Sequence, residues 1–401
     1  MKRVIILLIT VLSIVSCGNK ASDTKILFAV NIEKGMAYFQ SPTGELFFSN
    51  RFNHVRPFSE GFAGVEVNGK WGFIDKDGNQ IIPCIYSYVG TFVGGLALVC
   101  DPSYPFKWGY IDYSGKQITP CNYSDADPIS DGLARVKVHG KWGFIDEDGK
   151  QVIPCIYDLA FSFSEGLAGV EINGKWEFIN EDGKQVTPYV YEDCWPFSEG
   201  LAEVEVNGKW GLIDKDGKQV IPCIYDKVIS LSGGIAQVSI NGKWGFIDKQ
   251  GKHVVPCIYD NVGSFSDGLA GVEINGKIGF INKNGKQVVP CVYDDYDSYS
   301  EGLAAVKQNE KWGFIDKEGA LVIPYVYDNV CYFSEGRASV EINEKEGIID
   351  KNGYQIVPCI YDIIDPYLNG YAKIQLNDKC GVIDIDGNIV VPCIASDIEW
   401  E

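Results

Sequence analysis

Gly208-Lys209-Trp210-Gly211-Leu212-Ile213-Asp214-Lys215-Asp216-Gly217-Lys218-Gln219-Val220-Ile221-Pro222-Cys223-Ile224-Tyr225-Asp226 decides the fold, because the chain is essentially copies of it. The Trp position recurs at 71, 108, 142, 176, 210, 244, 278, 312, 346 and 380; every step is 34 residues except the first, which is 37. Self-similarity at a fixed period of this size marks a repeat architecture and overrides the two or three domains that 401 residues would otherwise suggest.

Within one copy the strand signals are short. Leu201-Ala202-Glu203-Val204-Glu205-Val206 alternates and ends at Asn207-Gly208, a two-residue hairpin signal, with Trp210 to Ile213 as the returning strand. Asp214-Lys215-Asp216-Gly217 is a second turn, in which Gly supplies positive φ and Asp caps through its side chain. Gln219 to Ile221 makes a third strand, expected to end at Pro222, which cannot donate to a ladder. Ile224 to Val228 reads as a fourth, edge-like strand. The fold class is all-β: about eleven 34-residue antiparallel meanders in tandem.

Recurrence shows which positions the backbone dictates. The turn Gly is present in all eleven copies, at 44, 78, 115, 149, 183, 217, 251, 285, 319, 353 and 387, and the Pro in all ten fuller copies from Pro83 to Pro392. Gly follows the Trp site in nine copies, failing at Glu177; a missing side chain there is expected to let the next unit approach closely. Val220, Pro222 and Ile224 share one strand face and Ile221, Cys223 and Tyr225 the other. Both faces are apolar, so a unit must stack on its neighbours. An open superhelical, solenoid-like array is the expected outcome. One or two closed propellers are the alternative, although 34 residues is short for a four-stranded blade and eleven exceeds the usual blade number.

The domain reading follows from position. Lys2 and Arg3 precede an apolar run from Val4 to Val15, too short to span a membrane, that ends in Ile14-Val15-Ser16-Cys17. Residues 1–17 therefore read as a signal peptide; its last four residues resemble a bacterial lipobox, which implies diacylglyceryl transfer to Cys17 and a membrane anchor. Residues 18–23 form a polar tether, 24–57 a degenerate capping repeat with Ala37 at the Trp site, and 58–400 ten fuller repeats. Cleavage leaves 33 basic against 54 acidic residues, a net charge of −21. Such a surface repels phosphate backbones, so nucleic acid is not an expected partner.

Lys-Trp-Gly-Phe-Ile-Asp, followed by Asp-Gly and Val-Ile-Pro, resembles the bacterial WG (KWG) β-repeat family across residues 24–400. The resemblance implies all-β repeats, often on exported bacterial proteins, and no defined reaction. Ile278, Glu346 and Cys380 depart from the pattern at the Trp site, as does Glu177 after it.

The residues that could carry chemistry read as architecture. Eight of the 13 cysteines share one slot (Cys84, Cys121, Cys155, Cys223, Cys257, Cys291, Cys359 and Cys393), which also holds Tyr189 and Tyr325; that alternation fits a small buried hydrophobe better than a bridge or ligand. No Cys-x-x-Cys or nearby His pair suggests a metal, His54, His139 and His253 occupy unrelated positions, and no cofactor is implied. The Asp-x-Asp-Gly turns drift to Tyr113-Ser114 and Lys283-Asn284, as hairpin turns can and calcium loops cannot. Trp71, Trp108, Trp142, Trp176, Trp210, Trp244 and Trp312 could form a sugar-stacking ladder, but core packing is the favoured reading. Lys precedes the Trp site in all ten fuller copies, either as a cationic stripe or, preferably, as a solvated residue whose stem covers the ring.

The function expected is that of a non-enzymatic, lipid-anchored cell-envelope protein presenting an extended surface to protein or glycan. A structural spacer is the second reading. A glycan-active enzyme is the third, lacking a unit with a distinctive acidic pair.

Overall fold

The hairpin turns are built as their sequences require. Asn207 and Gly208 take φ of 53° and 70°, the type I′ geometry whose twist matches the flanking strands. Glu199 and Gly200 take 52° and 83° in a second tight turn per unit, between Ser198 and Leu201. In the Asp-x-Asp-Gly turn, the Asp75 carboxylate accepts from the amides of Asp77 (3.0 Å) and Asn79 (2.8 Å), while Gly78 sits at φ 81°. Those carboxylates are consumed by their own turns.

The computed structural model describes residues 8–10, 27–32, 36–40, 52–103, 106–188 and 190–395. Cys17 and the 18–23 tether lie outside the described residues. Among the described residues every helix or strand is a strand. They form nine four-stranded and two three-stranded antiparallel sheets in meander order. Leu8–Thr10, Leu27–Ile32 and Met36–Gln40 make one of the three-stranded sheets.

A regular sheet contains a short outer strand (Asn261–Val262), a hairpin (Leu269–Ile274 with Lys277–Asn282) and a proline strand (Gln287–Tyr293). Two expectations need correction here. The third strand runs through Pro222 to Tyr225 instead of stopping, and the stretch expected as a fourth strand divides. Ile224 and Tyr225 stay with the proline strand, whereas Lys227–Ser232 opens the next sheet. Nine of the sheets thus reach four strands, the first of them opening at His54.

The strand register explains both Pro and Gly. Trp210 pairs with Tyr225 and Leu212 with Ile221, so Pro222, Cys223 and Ile224 lie opposite the single residue Gly211. The proline sits in a bulge on an edge strand, where no ladder amide is needed. The bulged backbone crosses so closely that a Cβ on Gly211 would lie 2.5 Å from the Ile221 carbonyl oxygen and 2.8 Å from the Cys223 nitrogen. The same clash recurs at Gly72, Gly143, Gly245, Gly279, Gly313 and Gly347. This glycine admits the unit's own proline strand, not the neighbouring unit as expected.

Where Glu177 replaces the glycine, the sheet has three strands, Leu159–Ala160, Leu167–Ile172 and Lys175–Asn180. Among the described residues, the isolated bridges Trp176–Tyr191 and Ile179–Gln185 and the Val186 amide on the Phe178 carbonyl (2.8 Å) stand where other sheets have a fourth strand.

The cores lie between successive units. One cluster joins Leu201, Leu212, Ile221 and Tyr225 of one sheet to Val228, Ala236, Val238 and Ile247 of the next. Another joins Leu133, Phe144, Ile153 and Tyr157 to Ala160, Phe163, Val170 and Ile179. Each buried aliphatic or aromatic side chain contributes roughly 1.5–3 kcal/mol, so a unit without neighbours forfeits most of its stabilisation. The expectation that both faces of the proline strand are covered does not hold: Ile221 and Tyr225 are buried, but Ile224 is 52% exposed and Pro222 faces water. The chain groups into two compact units, one of residues 1–197 with 215–217 and 394–401, the other of residues 198–214 with 218–393.

Candidate recognition surface

The recurrent polar residues hold units together. Lys141, Lys209, Lys243, Lys277, Lys311 and Lys345 each pair with the aspartate 17 positions on: Asp158, Asp226, Asp260, Asp294, Asp328 and Asp362. Lys175 meets Glu192 at 3.7 Å. The second oxygen of that aspartate caps the next hairpin turn, as in Asn275 N to Asp260 at 2.8 Å and Asn343 N to Asp328 at 2.9 Å. The lysine bond holds these aspartates below their ordinary pKa, assisted by the turn amide. Neither reading of the lysines anticipated this. Seven lysines of the stripe are thus paired with a carboxylate, and the cations over the indoles come from the partner strand, Lys137 over Trp142 (5.0 Å) and Lys307 over Trp312 (5.7 Å).

A second ladder runs along the Ser-Glu-Gly and Ser-Asp-Gly turns. Ser266 and Ser334 donate to the carbonyls of Tyr299 and Tyr367 in the following unit, at 2.5 and 2.8 Å. Glu199 accepts from the amides of Gly233 and Gly234 (2.9 and 3.1 Å) and pairs with Lys249 at 3.1 Å. Glu335 does the same for Asn369 and Gly370, both at 2.6 Å. These bonds explain a non-glycine residue at positive φ, since the strain of about 1–2 kcal/mol is offset by contacts to the next unit.

The cysteine slot is inert. None of the twelve cysteines from Cys84 to Cys393 is in a disulfide. Cys84, Cys155, Cys223, Cys257, Cys291 and Cys359 are half-buried and point at the hairpin-strand carbonyl 19 residues earlier, 3.6–3.8 Å away. Burial pushes their pKa values up, and that of Cys393 to about 11, which disfavours the nucleophilic thiolate. Among the described residues no group of His, Cys, Asp and Glu has the arrangement of a metal site.

Of the seven tryptophans in register, Trp142 and Trp176 are buried and Trp71, Trp108, Trp210, Trp244 and Trp312 half-buried against their sheets. At the Trp site of a later unit, Glu346 accepts from the Ile364 amide at 2.6 Å, and burial raises its pKa.

What differs between units is the residue following the short outer strand: Asp127, Phe161, Trp195, Gly263, Asp297, Cys331 or Asp365. Its amide donates to a hairpin-strand carbonyl, as from Asp127 to Arg135 (3.0 Å), Phe161 to Gly169 (2.8 Å) and Cys331 to Ser339 (2.9 Å), and the residues across the ladder vary as well. In three consecutive units the column becomes chemically distinctive. Arg135 pairs with Asp127 at 2.5 Å, donates to the Ala160 carbonyl and covers Trp142 at 4.2 Å. Ser162 Oγ lies 3.5 Å from the Asp127 carboxylate. Phe161 stacks on Trp176 at 4.9 Å and 18°, and Trp195 on Phe161 at 6.4 Å and 22°. Trp195 is 54% exposed. It was absent from the sequence-derived candidates because it stands outside the 34-residue tryptophan register. That irregularity was the available signal.

The WG containing repeat matches ten times, from 39–71, 71–101 and 108–142 through to 312–345 and 347–380. The chain belongs to the WG containing repeat family. No curated protein matches it. Among solved structures, this WG-repeat protein is similar to a eukaryotic initiation factor at 12% identity, covering 70% of this chain and 92% of that one, with a TM-score of 0.40. It is also similar to the extracellular domain of a putative hybrid two component system from B. thetaiotaomicron (10%, covering 90% and 64%, TM-score 0.24). BamB from Moraxella catarrhalis is a third (11%, covering 67% and 95%, TM-score 0.32). At these scores the WG-repeat protein inherits no functional argument from any of them.

Proposed function

We propose that this WG-repeat protein is a non-enzymatic recognition array, exported to the cell envelope and anchored to a membrane through lipidated Cys17, that binds protein or glycan along the column after the outer strands. The observation that carries this reading is the contrast between constant and variable positions. The recurrent Lys, Asp, Glu, Cys and Trp are engaged with their own or adjacent units, whereas Asp127, Phe161 and Trp195 change charge, shape and polarity from one unit to the next. A scaffold that repeats its architecture and varies one column suits graded recognition. Anchoring is supported by the order of Lys2 and Arg3, the apolar run and Ser16-Cys17.

The test is a glycan array together with pull-down from envelope extracts, using the protein lacking residues 1–17 and its Asp127→Ala/Trp195→Ala form. Retention lost in the double variant supports the array. Silence in both assays favours the spacer. Replacing Cys17 with Ser is expected to move the full chain from the membrane to the soluble fraction.

A further inference from the structure

We infer that the surface made by Asp127, Arg135, Phe161, Ser162 and Trp195 is a binding site for a neutral pyranose saccharide. This deepens the recognition reading and rests on it. Three observations converge. The rings of Trp176, Phe161 and Trp195 form a near-parallel series that starts in the core and ends on a half-exposed indole. Gly169 makes the middle ring possible, for a Cβ there would meet the Phe161 ring at 3.1 Å and the Cys194 sulfur at 3.0 Å. A buried ring thus braces an exposed one, and the platform loses little side-chain freedom when something lands on it.

The polar half of the site lies in the preceding unit, on residues adjoining Phe161 in space. Asp127 is held by Arg135 and approached by Ser162, and its side chain remains 30% exposed. That grouping offers acceptors, guanidinium donors and a hydroxyl side by side, suited to the vicinal hydroxyls of a sugar. The C–H face of a pyranose carries partial positive charge and meets the negative face of an indole. Sign of charge selects the class: a carboxylate within the site and a formal net charge of −19 on the chain disfavour uronates and sulfated sugars. A proline-rich peptide could also lie on an indole, but it has no use for a paired carboxylate and guanidinium.

The experiment titrates the full chain in detergent with cellohexaose, chitohexaose and mannohexaose, following heat and tryptophan emission, with hexagalacturonate and a proline-rich peptide as counter-probes. At least one neutral hexasaccharide is expected to bind and perturb the emission. Trp195→Ala is expected to weaken it by about tenfold. Trp195→Phe should retain most of the affinity, Asp127→Asn should weaken binding less than Trp195→Ala, and the melting temperature of Trp195→Ala should match the parent. Failure of all three neutral sugars, or binding unmoved by Trp195→Ala, overturns the proposal. If the sugars fail but the peptide or envelope proteins bind in a Trp195-dependent manner, the saccharide inference falls and the recognition array stands. If nothing binds the column, both fall.

Discussion

The units around Trp210 and Trp176 share a sequence pattern yet end differently. The first closes with a seven-residue proline strand, Gln219–Tyr225; the second, among its described residues, has isolated bridges and single amide bonds there. Of the residues that distinguish the second between Trp176 and Tyr191, Phe178, Asn180, Glu181 and Val190 have counterparts in four-stranded sheets (Phe144, Asn282, Glu147 and Val292), which leaves three: Glu177 for Gly, Thr187 before the Pro, and Tyr189 in the cysteine slot. Two of these are excused by other units. Thr119 occupies the Thr187 slot while Gln117–Tyr123 stays intact, and Tyr325 occupies the cysteine slot within an intact Leu321–Tyr327. Glu177 alone is without precedent in a complete sheet. The fourth strand therefore depends on a bare backbone opposite its bulge more than on its own residues.

Placing the irregular residue in the regular unit should break the contrast. Gly211→Glu drives a side chain into the Ile221 carbonyl and is expected to cost about 3 kcal/mol or more, read by denaturant unfolding. Hydrogen exchange should show Gln219–Tyr225 losing protection. The reverse change sharpens the comparison: Glu177→Gly should raise stability by about 1 kcal/mol and increase exchange protection at Val190 and Tyr191. An unchanged exchange pattern would move the cause to Thr187 or Tyr189.

The smallest effect is on pH dependence, and it applies to regular units. Asp226, Asp260, Asp294, Asp328 and Asp362 titrate below their ordinary value because of their lysine bonds and turn amides. A carboxyl with a lowered folded pKa stabilises above its unfolded value, and that contribution is lost as the pH falls through the folded one. Melting temperature should therefore fall progressively below about pH 4. Glu346, raised by burial, works in the opposite sense: its contribution is present in acid and lost as pH rises past the unfolded value. Replacing Lys277 with Gln should flatten the acid limb slightly.

Much of the fold was legible because the period is long and the turn chemistry local. Asn207-Gly208 and Asp75-x-Asp77-Gly78 each carry their geometry in adjacent residues. The proline bulge was not legible, since it depends on a register shift across the ladder that no single strand encodes. The lysine–aspartate pairs were hidden by a separation of 17 residues, half a period, and the carboxylate ladder by contacts running 34–50 residues along the chain. Of the registered tryptophans, Trp142 and Trp176 are buried and the other five half-buried against their sheets. Trp195 stands outside the 34-residue register, so the period that makes the other tryptophans legible hides it.

Whether successive units share one core is tested most directly by a double-mutant cycle between Ile221→Ala and Val238→Ala, two buried residues of one cluster on consecutive sheets. A shared core predicts that the two losses deviate from additivity by about 0.5–3 kcal/mol in unfolding free energy. Additivity to within about 0.3–0.5 kcal/mol would mean that each sheet carries its own core, contradicting the stacked account.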